Sequence, residues 1–250
     1  MRVSFESMLI NHLKLPRNQR GRDFVIGDIH GHFTAVRHEL ARIGFDPSHD
    51  RLISVGDLID RGPESEQAAT WIEQDWFFAV IGNHEASLLH HQDLLSARFE
   101  LWHDHHGWFD QLDLARQQRL QDRIATLPWA LEVETATGTV GIVHAEVPER
   151  FQNWQDFLSE LDDERVRSAA VSNRDLARRA DDLGTAGADE SCRLAGVDWV
   201  IHGHTPRRYC RPGQLGNRLW IDTMGWFDAP VQHGDARFTI IELSNPLLPL

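Results

Sequence analysis

Cysteine is scarce. Cys192 and Cys210 are the only two in 250 residues, too few for a disulfide framework and in keeping with a reducing compartment. Long apolar runs are missing as well: no stretch approaches the roughly 20 residues of a membrane-spanning helix. No apolar segment with a cleavage site follows Met1, so the expectation is a soluble, cytoplasmic protein. Basic charge is in deficit, with 25 Lys and Arg against 38 Asp and Glu and a net charge of −13. That balance opposes general affinity for nucleic acid or an anionic membrane. Internal repeats and low-complexity tracts are absent, apart from a recurring Gly-Asp step. What is present is enough for a core: 41% hydrophobic residues, among them nine Trp and twelve Phe. The length suits one large α/β domain better than two, acting as a monomer.

Residues 1–21 are mixed and mildly basic, and read as a short helix or flexible extension; residues 22–250 read as the single domain. Phe33, Val36, Leu40 and Ile43 follow helical spacing, and Asp46-Pro47 turns the chain into the next strand, which gives a first β-α-β unit. A second follows, with Pro63 placed in the first helical turn after Gly62. Residues 86–123 read as helices broken near His105-His106-Gly107. Trp129–Thr135 and Thr139–Val143 read as a hairpin around Thr137-Gly138, and residues 152–182 return to helix with a solvated, mixed-charge face. Strands are expected at Val197–Ile201, Leu219–Asp222 and Arg237–Leu243.

The chemistry lies in five short segments, each beginning where an apolar run stops: Gly27-Asp28-Ile29-His30-Gly31, Gly56-Asp57-Leu58-Ile59-Asp60-Arg61-Gly62, Gly82-Asn83-His84-Glu85, His144-Ala145 and His202-Gly203-His204-Thr205-Pro206. The preceding runs (Phe24–Ile26, Leu52–Val55, Trp76–Ile81, Val140–Val143, Val200–Ile201) are short and β-like. Each segment is therefore a loop at the carboxyl end of a strand, where open α/β sheets place their chemistry. Asp, His, Asp, Asn, His and His make a mixed oxygen and nitrogen set that suits Mn²⁺, Fe or Zn²⁺ better than Ca²⁺ or Mg²⁺ alone. Six ligands around a shared carboxylate point to two metals.

In this order the segments resemble the signature of the phosphoprotein phosphatase family of metallophosphoesterases: GDxHG, GDxxDRG, GNHE, an HA or HG step, and GHT. The resemblance covers residues 22 to about 243. It is most similar to the compact bacterial and phage Ser/Thr protein phosphatases, through Pro63 after Gly62, Pro206 after Thr205, and Trp220-Ile221-Asp222-Thr223. One such motif is weak; five in order, with the strand context, are specific. The resemblance implies a calcineurin-like α/β fold of two packed mixed sheets flanked by helices. It also implies two divalent ions, Mn²⁺ first and Fe or Zn²⁺ otherwise, with Asp28 and His30 on one, Asn83, His144 and His204 on the other, and Asp57 bridging. A hydroxide between the metals would attack phosphorus in line. Arg61 would clamp phosphate, with Asn83 beside it, and His84, oriented by Asp60, would be the general acid.

Taken singly, these residues have plainer readings. Asp after Gly is usually a turn or cap residue, and His144 or His204 alone would read as a hydrogen-bonded core imidazole. The ordered set reverses both. His202 stands where relatives carry an apolar or aromatic residue and reads as a neighbour of the ligands, with an exchange of roles with His204 as the alternative. For a second phosphate-binding Arg, the nearest match to a Trp-Ser-Arg-like segment is Ser172-Asn173-Arg174, which selects Arg174; Arg165, Arg167 and Arg150 are the alternatives, and a surface arginine is the plain reading of all four. Trp102 to Phe109 resembles a Trp-x-x-x-Gly-Gly loop with His in place of Gly. Its cluster of His103, His105 and His106 reads as lining the cleft or packing on the surface, not as an extra metal site. Glu146 replaces an Asp and Met224 a Gly of the pattern.

The implied activity is hydrolysis of phosphoserine and phosphothreonine in phosphoproteins or phosphopeptides, extending to phosphotyrosine. Symmetrical dinucleoside tetraphosphate hydrolysis, and a non-catalytic metal-binding regulatory module, are the alternatives. Net charge being negative, metals and local arginines would have to attract the phosphate.

Overall fold

The computed structural model describes residues 11–89, 106–183, 190–227 and 235–243. In chain order its strands are β1 (His12–Leu15), β2 (Asp23–Ile26), β3 (Arg51–Ser54), β4 (Phe77–Ala79), β5 (Ala130–Glu134), β6 (Thr139–Ile142), β7 (Trp199–His202), β8 (Gly213–Leu215), β9 (Arg218–Trp220) and β10 (Ile240–Glu242). They form a six-stranded sheet in the order β1-β5-β6-β7-β9-β8 and a four-stranded sheet in the order β10-β2-β3-β4. Both sheets are mixed. β2, β3 and β4 run parallel with β10 antiparallel at the edge, and β6, β7 and β9 run parallel between antiparallel pairs β5/β6 and β8/β9.

Alternation along the strands explains how the sheets pack. Successive side chains of a strand point to opposite faces, and here the two faces feed two different cores. Val25 and Ile53 join Leu131, Val133, Ile142, Ile201 and Ile241 in an interior cluster drawn from both sheets. Their neighbours Phe24, Ile26, Leu52 and Val200 face the other way, into a cluster with Phe33, Val36 and Leu40 of the helix Phe33–Arg42 and with Leu120 and Ile124 of the helix Leu114–Ile124. Strands buried on both faces read as unbroken apolar runs, which is why they are recognisable in the sequence. No helix among the described residues is long and apolar enough to cross a membrane.

The fold corrects the sequence reading in several places. Residues 12–15 are neither a helix nor, as strand β1, a free extension: β1 pairs parallel with β5 and buries Leu15 in the interior cluster. His-Leu-Lys-Leu alternates with period two, a signal too short to stand out at a chain end. Pro63 lies in a turn, and the following helix starts only at Gln67. The chain between them is tied down by Glu64, which accepts from both Thr34 N and Thr34 Oγ1. Residues 152–182 are three helices, Trp154–Ser159, Glu164–Ser172 and Asp175–Leu183. Asn153 and Asp163 cap the first two by accepting from Gln155 N and Arg165 N, stop-and-start signals that a continuous reading passes over. β8 was not expected; three residues, Gly-Gln-Leu, carry no periodicity.

Candidate metal centre

β2, β3 and β4 of one sheet and β6 and β7 of the other deliver the five loops to a common edge, where hydrogen bonds join them. Ile29 N and His30 N both donate to Asp57 O, at 3.1 and 2.8 Å, and Gly203 N donates to His144 O at 2.7 Å. Across the two sheets, His144 Nδ1 donates to Val55 O at 2.8 Å, and His204 N donates to the Asp28 carboxylate at 3.1 Å. The approach is so close that a Cβ on Gly82 would strike Asp57 Oδ1, and one on Gly203 would strike Asp28 Oδ1; glycine is the residue that fits there. His30, Asp57, Asp60, Arg61 and His204 all have φ between 44° and 70°. Left-handed backbone in non-glycine residues costs of order 1–3 kcal/mol each, and it gathers where a site fixes it.

Two overlapping clusters of buried donors result, His30 with Asp57 and His84, and Asp57 with His144 and His204. Asp57 belongs to both: Oδ2 is 3.5 Å from His30 Nε2, and Oδ1 is 3.3 Å from His144 Nε2. Asp28 Oδ2 adds an oxygen 3.9 Å from His30 Nε2, and Asn83 Oδ1 lies 3.1 Å from His144 Nε2. Backbone carbonyls select the tautomers. His30 Nδ1 binds Ile59 O and His204 Nε2 binds Ser172 O, so each ring donates there and turns a lone pair, His30 Nε2 and His204 Nδ1, inward. Both of those nitrogens are buried without a hydrogen-bond partner.

The electrostatics point the same way. Burial holds the His30 ring well below the usual histidine range, and burial with the neighbouring His144 lowers His204 to about 3, so both are neutral and able to ligate. Asp57 is pushed up by burial, but His144, His84 and His30 outweigh this and keep it ionised. Asp28 is pushed well up by burial and by Asp222 and Asp57, and Asp222 is also raised, by burial first, with its Oδ2 unpartnered. Three buried carboxylates crowding neutral imidazoles, with orphaned ligand atoms between them, is an arrangement that a multivalent cation relieves. The donor set fits the divalent ions that this kind of mixed oxygen and nitrogen chemistry binds.

Within the first cluster, His84 Nδ1 donates to Asp60 Oδ2 at 2.5 Å, and His84 Nε2 turns toward Asp57 Oδ2, 3.9 Å away. Burial lowers His84, but the charges and hydrogen bonds of Asp57 and Asp60 exceed that and raise it. Asp60 is pushed up by burial yet held at about 2 by hydrogen bonds from His106 and His84. Arg61 is exposed and lies 4.1 Å over the Trp226 ring. Trp226 in turn stands edge-on to His30 and donates its indole N–H to Asp222 Oδ1 at 2.9 Å.

Among the four arginines weighed for a second phosphate contact, Arg174 is the one brought to the site. It donates to His204 O at 2.9 Å and lies within electrostatic reach of Asp57 and Asp28. Arg150 pairs with Glu160, Arg167 donates to Leu161 O, and Arg165 is exposed. His202 is outside both donor clusters: its Nδ1 donates to Val143 O, and its ring stacks on Trp220. Of the histidine-rich loop, His106 is buried against Asp60, whereas Trp102, His103 and His105 lie outside the described residues.

One organising residue was quoted in the sequence only as part of a motif. Glu85 accepts four backbone N–H groups, Leu58 and Ile59 on Oε1 and Asp57 and Gly82 on Oε2, at 2.8–3.2 Å. It thereby shapes the loop that presents Asp57. Burial and the neighbouring Asp57 push it up to about 7. In Glu85→Gln, two of those N–H groups would face an amide NH₂, at about 1–3 kcal/mol each. We expect a Tm lower by roughly 5 °C or more with weaker metal retention, read by calorimetry and elemental analysis. An unchanged Tm would mean that the loop is held without Glu85. Asp222 and Trp226 carry no signal of a site role in the sequence, and His106 and Trp108 stand in a loop read only as lining the cleft or packing on the surface, with nothing to show that either reaches Asp60.

Residues 24–208 match the model of the calcineurin-like phosphoesterase family. A serine/threonine-protein phosphatase 1 of Salmonella typhimurium is 35% identical over 204 residues, 80% of this chain and 85% of that protein. A symmetrical bis(5'-nucleosyl)-tetraphosphatase of Methylococcus capsulatus is 27% identical over 220 residues, 83% of this chain and 75% of that protein. A solved structure provisionally named a diadenosine tetraphosphatase shares the fold, with a TM-score of 0.64 at 18% identity over 96% of this chain and 98% of the other. The chain therefore belongs to the calcineurin-like phosphoesterases, in the branch that resembles the phosphoprotein phosphatases, and is a hydrolase.

Proposed function

We propose that this protein is a dinuclear-metal phosphomonoesterase that removes phosphate from phosphoserine and phosphothreonine in proteins, with phosphotyrosine a further substrate. The observation that carries the reading is the sharing of Asp57 by two buried donor clusters, beside a His84–Asp60 pair with Nε2 facing the same space. Asp28, His30 and Asp57 would hold one cation, and Asp57, Asn83, His144 and His204 the other; Mn²⁺ is the ion proposed, with Fe or Zn²⁺ suited to the same donors. When bound, the ions would supply Lewis acidity and a water that loses its proton near neutral pH.

The chain's own residues do the rest. Arg61 and Arg174, with Asn83, would take the phosphoryl oxygens in charge-assisted hydrogen bonds, the guanidinium fork matching two oxygens at once. As water oxygen bonds to phosphorus, the bond to the serine oxygen breaks in line and its electron pair stays with that oxygen. His84 Nε2 gives it a proton, Asp60 holding the opposite nitrogen, and the products are a free hydroxyl and inorganic phosphate. A serine alkoxide is a poor leaving group and needs such an acid, whereas a phosphoanhydride needs it less. That asymmetry supports the phosphomonoester reading.

The relative from Methylococcus capsulatus favours a second reading, a symmetrical dinucleoside tetraphosphate hydrolase. Parallel assays with Mn²⁺ separate the two. We expect kcat/KM for phosphoserine and phosphothreonine peptides to exceed that for diadenosine tetraphosphate by about tenfold or more, a difference of about 1.4 kcal/mol in transition-state binding. The opposite ranking would establish the second reading.

A further inference from the structure

Asp60 receives more hydrogen bonds than the orientation of one imidazole requires. Oδ2 accepts from His84 Nδ1, while Oδ1 accepts from His106 Nδ1 at 2.9 Å and from Trp108 Nε1 at 2.7 Å. The backbone N–H of Asp60 is fixed as well, donating to Ser65 Oγ at 2.9 Å. A carboxylate held through one oxygen can still turn about its terminal torsion, which has broad wells; donors on both oxygens fix its plane.

His106 is built to be such a donor. It is 2% exposed, and its Nε2 lies 3.3 Å from Ser87 Oγ. Ser87 follows His84 by three residues in the helix Asn83–Leu89, so both side chains stand on one helical face. An ionised carboxylate only accepts, so His106 carries a proton on Nδ1, while Nε2 shares a hydrogen bond with the serine hydroxyl. The imidazole therefore braces Asp60 against the same helix that carries His84.

We propose that His106, together with Trp108, is a positioning residue for the proton-donating step: by fixing the plane of Asp60 it holds His84 with Nε2 aimed at the leaving oxygen. Being buried, His106 does not touch substrate. The proposal rests on the reading of His84 as the acid.

The test uses the full-length, Mn²⁺-loaded enzyme with two substrates, a phosphoserine peptide whose alkoxide needs a proton and p-nitrophenyl phosphate whose phenolate does not. His106→Leu should lower kcat on the peptide by about 10- to 30-fold, part of the roughly 10²- to 10⁴-fold that a general acid supplies. On p-nitrophenyl phosphate the loss should stay under about threefold, with KM on both substrates and bound metal unchanged. His106→Asn, whose amide N–H can replace Nδ1–H, should recover most of the peptide activity. Trp108→Phe removes the other donor to the same oxygen and should show the same selectivity at smaller size; it decides the matter if His106→Leu does not fold. Equal losses on both substrates, or a selective loss that asparagine does not relieve, would overturn the proposal. His84→Asn, assayed alongside, separates the two ideas. If it is selective and the His106 and Trp108 variants are not, only the brace fails; if it is unselective, the acid reading fails with it.

Discussion

Asp57→Asn is expected to abolish phosphatase activity and to strip bound metal in the same protein preparation. Asp57 is 2% exposed and reaches both donor clusters, Oδ2 toward His30 and Oδ1 toward His144. An amide keeps the shape but removes the negative charge, and it turns one ligand oxygen into an NH₂ that repels a cation and faces imidazole lone pairs. The contacts of Glu85 are spared, since it holds Asp57 through the main-chain N–H, and the amide oxygen can still accept from His84 N as Asp57 Oδ1 does. Loss of a single preorganised electrostatic group typically costs about 10²- to 10³-fold; loss of a shared metal ligand should exceed that. Elemental analysis, with circular dichroism to establish that the fold persists, is the measurement. A variant that binds no metal and keeps full activity would end the dinuclear mechanism, and a variant that keeps both metals would remove Asp57 from the bridging role.

Much of this site can be read from the chain because its parts are local. Each loop is a short polar segment at the end of an apolar strand, so each could be placed at the carboxyl end of its strand, and the family resemblance implies Asp28, His30, Asp57, Asn83, His144 and His204 as one set; the structure brings them to a common edge. The unread residues work across distance. Glu85 matters through N–H groups 26–28 residues away, and His106 and Trp108 matter through an oxygen 46 and 48 residues away. Nothing in a histidine-rich loop indicates which of its rings turns inward. The fold shows the same division. Doubly buried strands such as β2 and β3 announce themselves as apolar runs, whereas the edge strands β1 and β8 are short and expose alternate residues, leaving too little pattern to distinguish them from loop. Arg174 lies between the two cases: a weak motif match selected it, and the hydrogen bond to His204 O brings it to the site.

His84→Asn should keep its metals and lose far more activity on phosphoserine than on p-nitrophenyl phosphate. His84 lies one residue beyond Asn83 at the start of the helix Asn83–Leu89; its ring shares a donor cluster with His30 and Asp57, and the proposed reading gives that cation to Asp28, His30 and Asp57 and keeps His84 for the proton. Nδ1 is committed to Asp60 Oδ2, which leaves Nε2 to face the reacting group, and the charges of Asp57 and Asp60 favour the protonated ring. Asparagine can occupy the space but has no proton to give. A general acid supplies about 10²- to 10⁴-fold, and a phosphoserine peptide should show a loss of that order because its alkoxide must be protonated as the P–O bond breaks. p-Nitrophenolate is stable without a proton, so the loss there should be under about tenfold. The difference between the two substrates is the reading, since a general disturbance of the site would lower both together. Equal loss on both with metals retained would mean that His84 positions phosphate or tunes the cations instead of donating a proton, and loss of metal in the variant would move it into the ligand set that its place near His30 and Asp57 also permits.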